Sequence, residues 1–170
     1  MIAVRIHSYG DASDLKFEDA SKPAIGLDEV LVKVAVCGIN PVGWKIREGF
    51  MAQMIHHSFP LALGWDVAGT VAETGGLVRR FKKEDAVFCR PDTLRNRGFA
   101  EYVAVKKIEL AGAPRSILLN NAVGIPLASQ AAWMAHFEVE GLLETRSERP
   151  DPGHARRPRH LRRSVGKSRR

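Results

Sequence analysis

Residues able to do chemistry concentrate in two short segments of this chain. One is Cys37-Gly38-Ile39-Asn40-Pro41-Val42 with Trp44 and Arg47 just behind it, and the other is Gly64-Trp65-Asp66-Val67-Ala68-Gly69. A side-chain amide, two indoles and a guanidinium offer hydrogen-bond donors and flat faces rather than nucleophiles. No G-x-S-x-G elbow surrounds Ser58 or Ser129, which removes the serine-hydrolase reading. His56-His57 is an adjacent pair, a spacing that suits loop surface and not a metal. Cys37 and Cys89 are the only cysteines, too few and too far apart for a disulfide framework. Nothing near Cys89 marks a lowered pKa, so it reads as a small buried apolar residue.

The elements that must hold these segments read mostly as strands. Residues 2–6 form a first strand and 15–18 its hairpin partner after the Gly10-Asp11 turn. Residues 29–39 are the clearest element: Val30, Val32, Val34 and Val36 fall on one face, and Leu31, Lys33, Ala35 and Cys37 on the other. Strands over 66–74, 86–88 and 99–105 follow, separated by Gly75-Gly76, by a charged stretch ending at Asp85, and by the loop from Arg90 to Gly98. Several short strands with turn punctuation predict a small barrel. Two helices interrupt it. Asn40-Pro41 offers an N-cap and a proline at the first helical position, and Gly49 closes a short helix. A second helix runs over 126–142, where Leu127, Ala131, Met134 and Phe137 make an apolar face suited to packing.

Charge divides the chain after Thr145. The whole sequence has 170 residues and a net charge of +7, yet from Arg146 onward there are ten Lys and Arg against two acids. The basic character therefore belongs to this tail. The part before it is ample for one domain with a core. No charged-then-apolar leader precedes the first strand, no apolar run approaches the roughly 20 residues a membrane-spanning helix needs, and there is no internal repeat. With two unpaired cysteines, the expected setting is reducing and cytoplasmic.

Four segments in register then carry a resemblance over about 140 residues. They are Cys37 to Gly49, the run Pro60-Leu61-Ala62-Leu63-Gly64-Trp65-Asp66-Val67-Ala68-Gly69-Thr70-Val71, Phe99-Ala100-Glu101-Tyr102-Val103, and Pro126-Leu127-Ala128 with Ala132-Trp133. Together they resemble the medium-chain dehydrogenase/reductase superfamily, nearest its zinc-independent quinone oxidoreductase branch. The resemblance implies a GroES-like, partly open β-barrel over residues 1–125 and a helix and linker over 126–145 leading toward a Rossmann domain for NADP(H). It also implies hydride transfer to a quinone or enone, with charge on the carbonyl stabilised by hydrogen-bond donors in a dry cleft. In that cleft Asn40 would face nicotinamide and substrate, or simply cap the helix at Pro41. Trp44 and Trp65 would stack on a planar substrate or fill core, and Arg47 would meet a phosphate or solvate the helix end. Asp66, between Gly64 and Gly69, would hold backbone amides at a turn. Zinc members place a cysteine and a histidine where this chain has Asn40 and Trp65, so no metal is expected.

The departures from the family pattern are specific. Gly43 replaces an aspartate, Ala131 replaces the helix threonine that approaches the nicotinamide, and Glu84 takes a turn position that the family gives to glycine. The 170 residues contain no glycine-rich strand-turn-helix to cradle a pyrophosphate. The expectation is a truncated chain with no catalytic residue established and no cofactor bound. Residues 146–170 read as a disordered tail produced by a shifted reading frame, because displaced Gly, Ala and Val codons become Arg, Gly or Ser. The competing reading is a non-catalytic GroES-like module whose basic tail binds nucleic acid, although that tail has no aromatic residue to stack on bases. Substrate identity and oligomeric state are left open.

Overall fold

In the computed structural model, the described residues are 1–92, 94, 95 and 97–139. The basic tail and the end of the linker lie outside them. Two units are present, one from Met1 to Ala132 and one starting at Trp133.

The first unit is the partly open barrel that the strand pattern predicts. Strand β1 (Ile2–Ile6) pairs antiparallel with β2 (Lys16–Asp19), Val4 opposite Phe17, and with the two-residue β4 (Leu61–Ala62). The second sheet has the order β7-β3-β5-β6-β8, built from β3 (Glu29–Gly38), β5 (Asp66–Thr74), β6 (Ala86–Cys89), β7 (Tyr102–Lys106) and β8 (Leu110–Gly112). A bridge between Ala3 and Ala100, with Val4 N–H donating to the Phe99 carbonyl at 2.7 Å, joins the two sheets. Strands β4 and β8 are additions to the expected set. At two and three residues they are too short to show an alternation.

Exposure does not alternate at the start of β3, where Glu29 to Val32 are all buried, and does so only from Lys33 to Val36. The register against β5 shifts between Leu31 and Val32, with Ala72 the extra residue on β5, and again between Val34 and Val36, with Ala35 the extra residue on β3. The second bulge turns the following β3 side chains over. Cys37 consequently packs with Val34 on the same core, where strict alternation puts them on opposite faces. That core is a cluster of valines from β3, β5, β6 and β7 closed by Phe81 and Leu110. Burying each valine is worth about 1.5 to 3 kcal/mol, which is what closes the sheet around them.

A second cluster of Ile6, Ile46, Leu61, Leu63 and Trp65 sits under α1 (Pro41–Arg47). Pro41 takes the first helical turn, and Gly49, at φ 80°, provides the left-handed residue that ends it. A short helix absent from the sequence reading, α2 (Leu119–Ala122), precedes α3 (Pro126–Trp133). The predicted single helix to residue 142 is corrected: regular α-helix stops at Trp133, and Met134–Val139 continue as a π-helical segment. Only the start of α3 is covered, with Pro126 buried and Leu127 packed on the second cluster, while Ala131 is exposed. Within the second unit, the Trp133 and Phe137 rings lie 4.4 Å apart.

Candidate functional site

The two chemistry-bearing segments meet at one cleft. The first leaves the end of β3 and turns into α1, the second leads into β5, and β3 and β5 are neighbours, with Gly38 opposite Asp66. Their side chains line a cavity of about 230 Å³ bounded by Ile39, Asn40, Trp44, Arg47, Trp65 and Phe99. Gly43 and Gly64 also border it. Gly64 is fixed on two counts. Its φ is 100°, and a Cβ there would stand 2.5 Å from Cys37 Sγ and 2.7 Å from Phe99 Cδ1. Gly69 has equally little room, since a Cβ would come 2.1 Å from the Lys33 carbonyl oxygen.

Asp66 organises the polar side of the site. It is 3% exposed, and its two oxygens are divided between two partners. Oδ2 accepts from Asn40 Nδ2 at 2.7 Å, and Oδ1 accepts from the Leu127 backbone N–H at 2.7 Å. The carboxylate thus takes one of the orphan amides at the start of α3 and clamps the Asn40 side chain to β5. The expectation that Asp66 holds backbone amides at a turn is met by one amide, at a helix start. Asn40 sits at the N-cap position of α1 with extended backbone but makes no side-chain cap bond. Its capping role is therefore corrected: the side chain is turned to the buried carboxylate, to which its Nδ2 donates, and its Oδ1 accepts no α1 amide. Held this way, Asn40 keeps a second Nδ2 hydrogen and its Oδ1 for a ligand.

The two tryptophans divide the roles proposed for them. Trp65 is 1% exposed and belongs to the second core cluster, so it fills core and offers no open face for stacking. Its indole N–H is buried without an acceptor among the described residues, in a side chain that lines the cleft. Trp44 is 43% exposed at the rim, its ring perpendicular to that of Phe50 at 5.6 Å and with the Lys45 ammonium over it at 5.8 Å. Arg47 donates through Nη2 to Glu48 at 2.6 Å and through Nε to the Gly10 carbonyl at 3.4 Å, tying the helix end to the first hairpin. Ala131 does not line the cleft; it stands exposed on α3.

Neither cysteine is activated. Burial, with the Asp66 charge adding to it, pushes the Cys37 thiol up to about 12, and burial pushes the Cys89 thiol above its ordinary range. Tyr9 Oη lies 3.3 Å from His57 Nδ1, which places that histidine against the first hairpin. Among the described residues, no three His, Cys, Asp or Glu side chains gather to hold a metal ion, and no helix is long and apolar enough to cross a membrane. The sequence reading missed Leu15, Leu63 and Phe99 as cleft walls, because their only signal is that they are apolar.

The chain is similar to several known proteins. Residues 26–115 match the family model for the alcohol dehydrogenase GroES-like domain. The chain is 31% identical over 136 residues to a chloroplastic quinone-oxidoreductase homolog of Spinacia oleracea, covering 79% of this chain and 41% of that protein. It is 35% identical over 144 residues to a chloroplastic NADPH-dependent alkenal/one oxidoreductase of Arabidopsis thaliana, covering 81% and 36%. Among solved structures, the quinone oxidoreductase from Coxiella burnetii superposes with a TM-score of 0.77 at 26% identity, over 82% of this chain and 45% of that one. The chain thus spans about two-fifths of the length of the relatives it matches.

Proposed function

This chain belongs to the alcohol dehydrogenase GroES-like domain family, within the medium-chain dehydrogenase/reductase superfamily, and from that premise we propose that it forms the substrate-side barrel of an NADP-dependent, zinc-independent oxidoreductase reducing quinones or enones. Residues 1–125 form the barrel in this reading, and 126–145 lead toward a nucleotide-binding domain. Cytoplasmic placement rests on the two free thiols. The observation that carries the reading is the Asn40 amide, clamped by Asp66 at 2.7 Å in a cleft whose other walls, Arg47 apart, are mainly apolar.

The cleft fits the flat, amide-bearing ring of a nicotinamide beside a planar carbonyl compound. When bound, the nicotinamide supplies the hydride. The chain's own residues orient and stabilise. Asn40 offers a donor to a carbonyl oxygen that gains negative charge, and the apolar walls exclude water, which strengthens that bond. Trp44 presents a face to the planar substrate at the rim. Asn40 and Trp65 occupy the places of the zinc ligands in zinc-dependent relatives. An amide bonded to a carboxylate and a buried indole are poor ligands for that ion, which supports the zinc-free reading. The described residues do not fit the pyrophosphate end of the cofactor, for they contain no glycine-rich turn before a helix.

The test is a chimera joining residues 1–139 to the cofactor domain of the spinach relative. It should oxidise NADPH in the presence of a quinone or enone and remain active in EDTA, and Asn40→Ala should lower kcat about tenfold to a hundredfold. The 170-residue chain alone should show no saturable micromolar NADPH binding. A chimera that binds NADPH but turns over neither substrate class refutes the reading.

A further inference from the structure

A second cavity, sharing no lining residue with the cleft, lies where the start of β1 meets the segment after β2 and the loop before β7. Its volume is about 280 Å³. Four cationic side chains line it, Arg5, Lys22, Arg95 and Arg97, and none of its described lining residues is acidic. The remaining walls combine alanines, at positions 3, 20, 24, 62, 100 and 104, with larger or polar residues such as Met1, Ser21 and Tyr102.

Among the described residues, each of the three arginines is paired with a carboxylate that stands outside this lining and balances its charge. Arg5 donates through Nε to Glu18 at 2.7 Å and through Nη2 to the Asp19 carbonyl, which leaves Nη1. Arg95 commits Nη1 to Glu29 and keeps its other donors. Among the described residues Lys22 has no carboxylate within ion-pair distance, and it lies 4.5 Å from the Tyr102 ring centroid. Arg97, only 1% exposed, reaches Asp92 at 3.2 Å. Burial lowers its pKa to about 10, which still leaves it charged at neutral pH.

We propose that this cavity binds a small carboxylate with a short aliphatic body. The head would take paired N–H donors from the arginines, with Lys22 at the mouth, and the body would lie along the alanines. The site is separate from the reductase cleft and stands whether or not that reading holds.

Butyrate, butyramide and inorganic phosphate are titrated into the 170-residue chain at constant ionic strength, followed by calorimetry and by the amide NMR shifts of Ala24, Ala100 and Tyr102. Butyrate is expected to bind saturably and shift those three amides, with butyramide at least about tenfold weaker because it lacks the charge. Lys22→Glu, at an exposed position, should weaken butyrate about threefold to fivefold. Ala24→Phe should abolish binding by filling the mouth. Arg97→Met should also abolish it, and the two exposed variants keep the test decisive if that one unfolds. Equal affinity for butyramide, binding of phosphate alone, no saturable binding, or full butyrate affinity in both Lys22→Glu and Ala24→Phe would overturn the proposal.

Discussion

Replacing Asp66 measures how much of the site depends on one buried carboxylate. In Asp66→Ala the Leu127 N–H and the Asn40 Nδ2, both part-buried, lose an acceptor at 2.7 Å. Leaving a buried polar group unsatisfied costs about 1 to 3 kcal/mol each, so the barrel should lose about 3 kcal/mol. Asp66→Asn behaves differently. Its amide keeps one oxygen for Leu127, and Asn40 can rotate its own amide so that Oδ1 meets the new NH₂ group. Both bonds survive as neutral ones, and the loss falls to about 1 kcal/mol. Urea unfolding followed by tryptophan fluorescence reads both values, since Trp65 lies in the adjacent core. The Asn40→Ala/Asp66→Ala cycle should give a coupling of about 1 to 2 kcal/mol. An Asp66→Ala protein within about 0.5 kcal/mol of wild type, or a coupling near zero, would refute the clamp. In the chimera, Asp66→Asn should also cut kcat more than it raises KM, because it turns the Asn40 amide around while leaving the walls intact.

Further outcomes follow from the backbone and the ion pairs. Gly64→Ala should destabilise by roughly 3 kcal/mol or more, because its φ of 100° and the 2.5 Å approach to Cys37 Sγ act together; Gly43→Asp, whose Cβ would meet only Trp65 Cζ3 at 3.7 Å, should fall within about 0.5 kcal/mol of wild type by the same denaturation assay. Glu84 holds φ 71° at the turn where the family has glycine, so Glu84→Gly should raise stability by about 0.5 to 1 kcal/mol, measured as a rise in Tm. Glu29 accepts from the Gly26 backbone N–H and from Arg95, and those bonds outweigh its burial and hold its pKa below the ordinary glutamate value. Its stabilisation is present above the unfolded value of about 4.3 and is lost as pH falls through the lower folded one, so Glu29→Gln should flatten the acid limb of stability against pH.

Much of the barrel is local in origin and was legible in the chain. Period-two valines make a strand wherever they stand, and Asn40-Pro41 with Gly49 brackets a helix without help from afar. The need for a left-handed residue at Glu84 could also be read from the turn pattern, and the structure places φ 71° there. What the chain could not show is set by pairing between distant segments. The bulge that turns Cys37 inward depends on how β3 registers against β5. The choice of Asn40 between capping α1 and joining Asp66 depends on a buried carboxylate 26 positions away. The burial of Trp65, the exposure of Trp44 and the basic cavity that unites Arg5 with Arg97 depend likewise on the closure of the two sheets. Propensity and periodicity act within a few residues, whereas burial and charge environment are sums over neighbours that only the folded chain assembles.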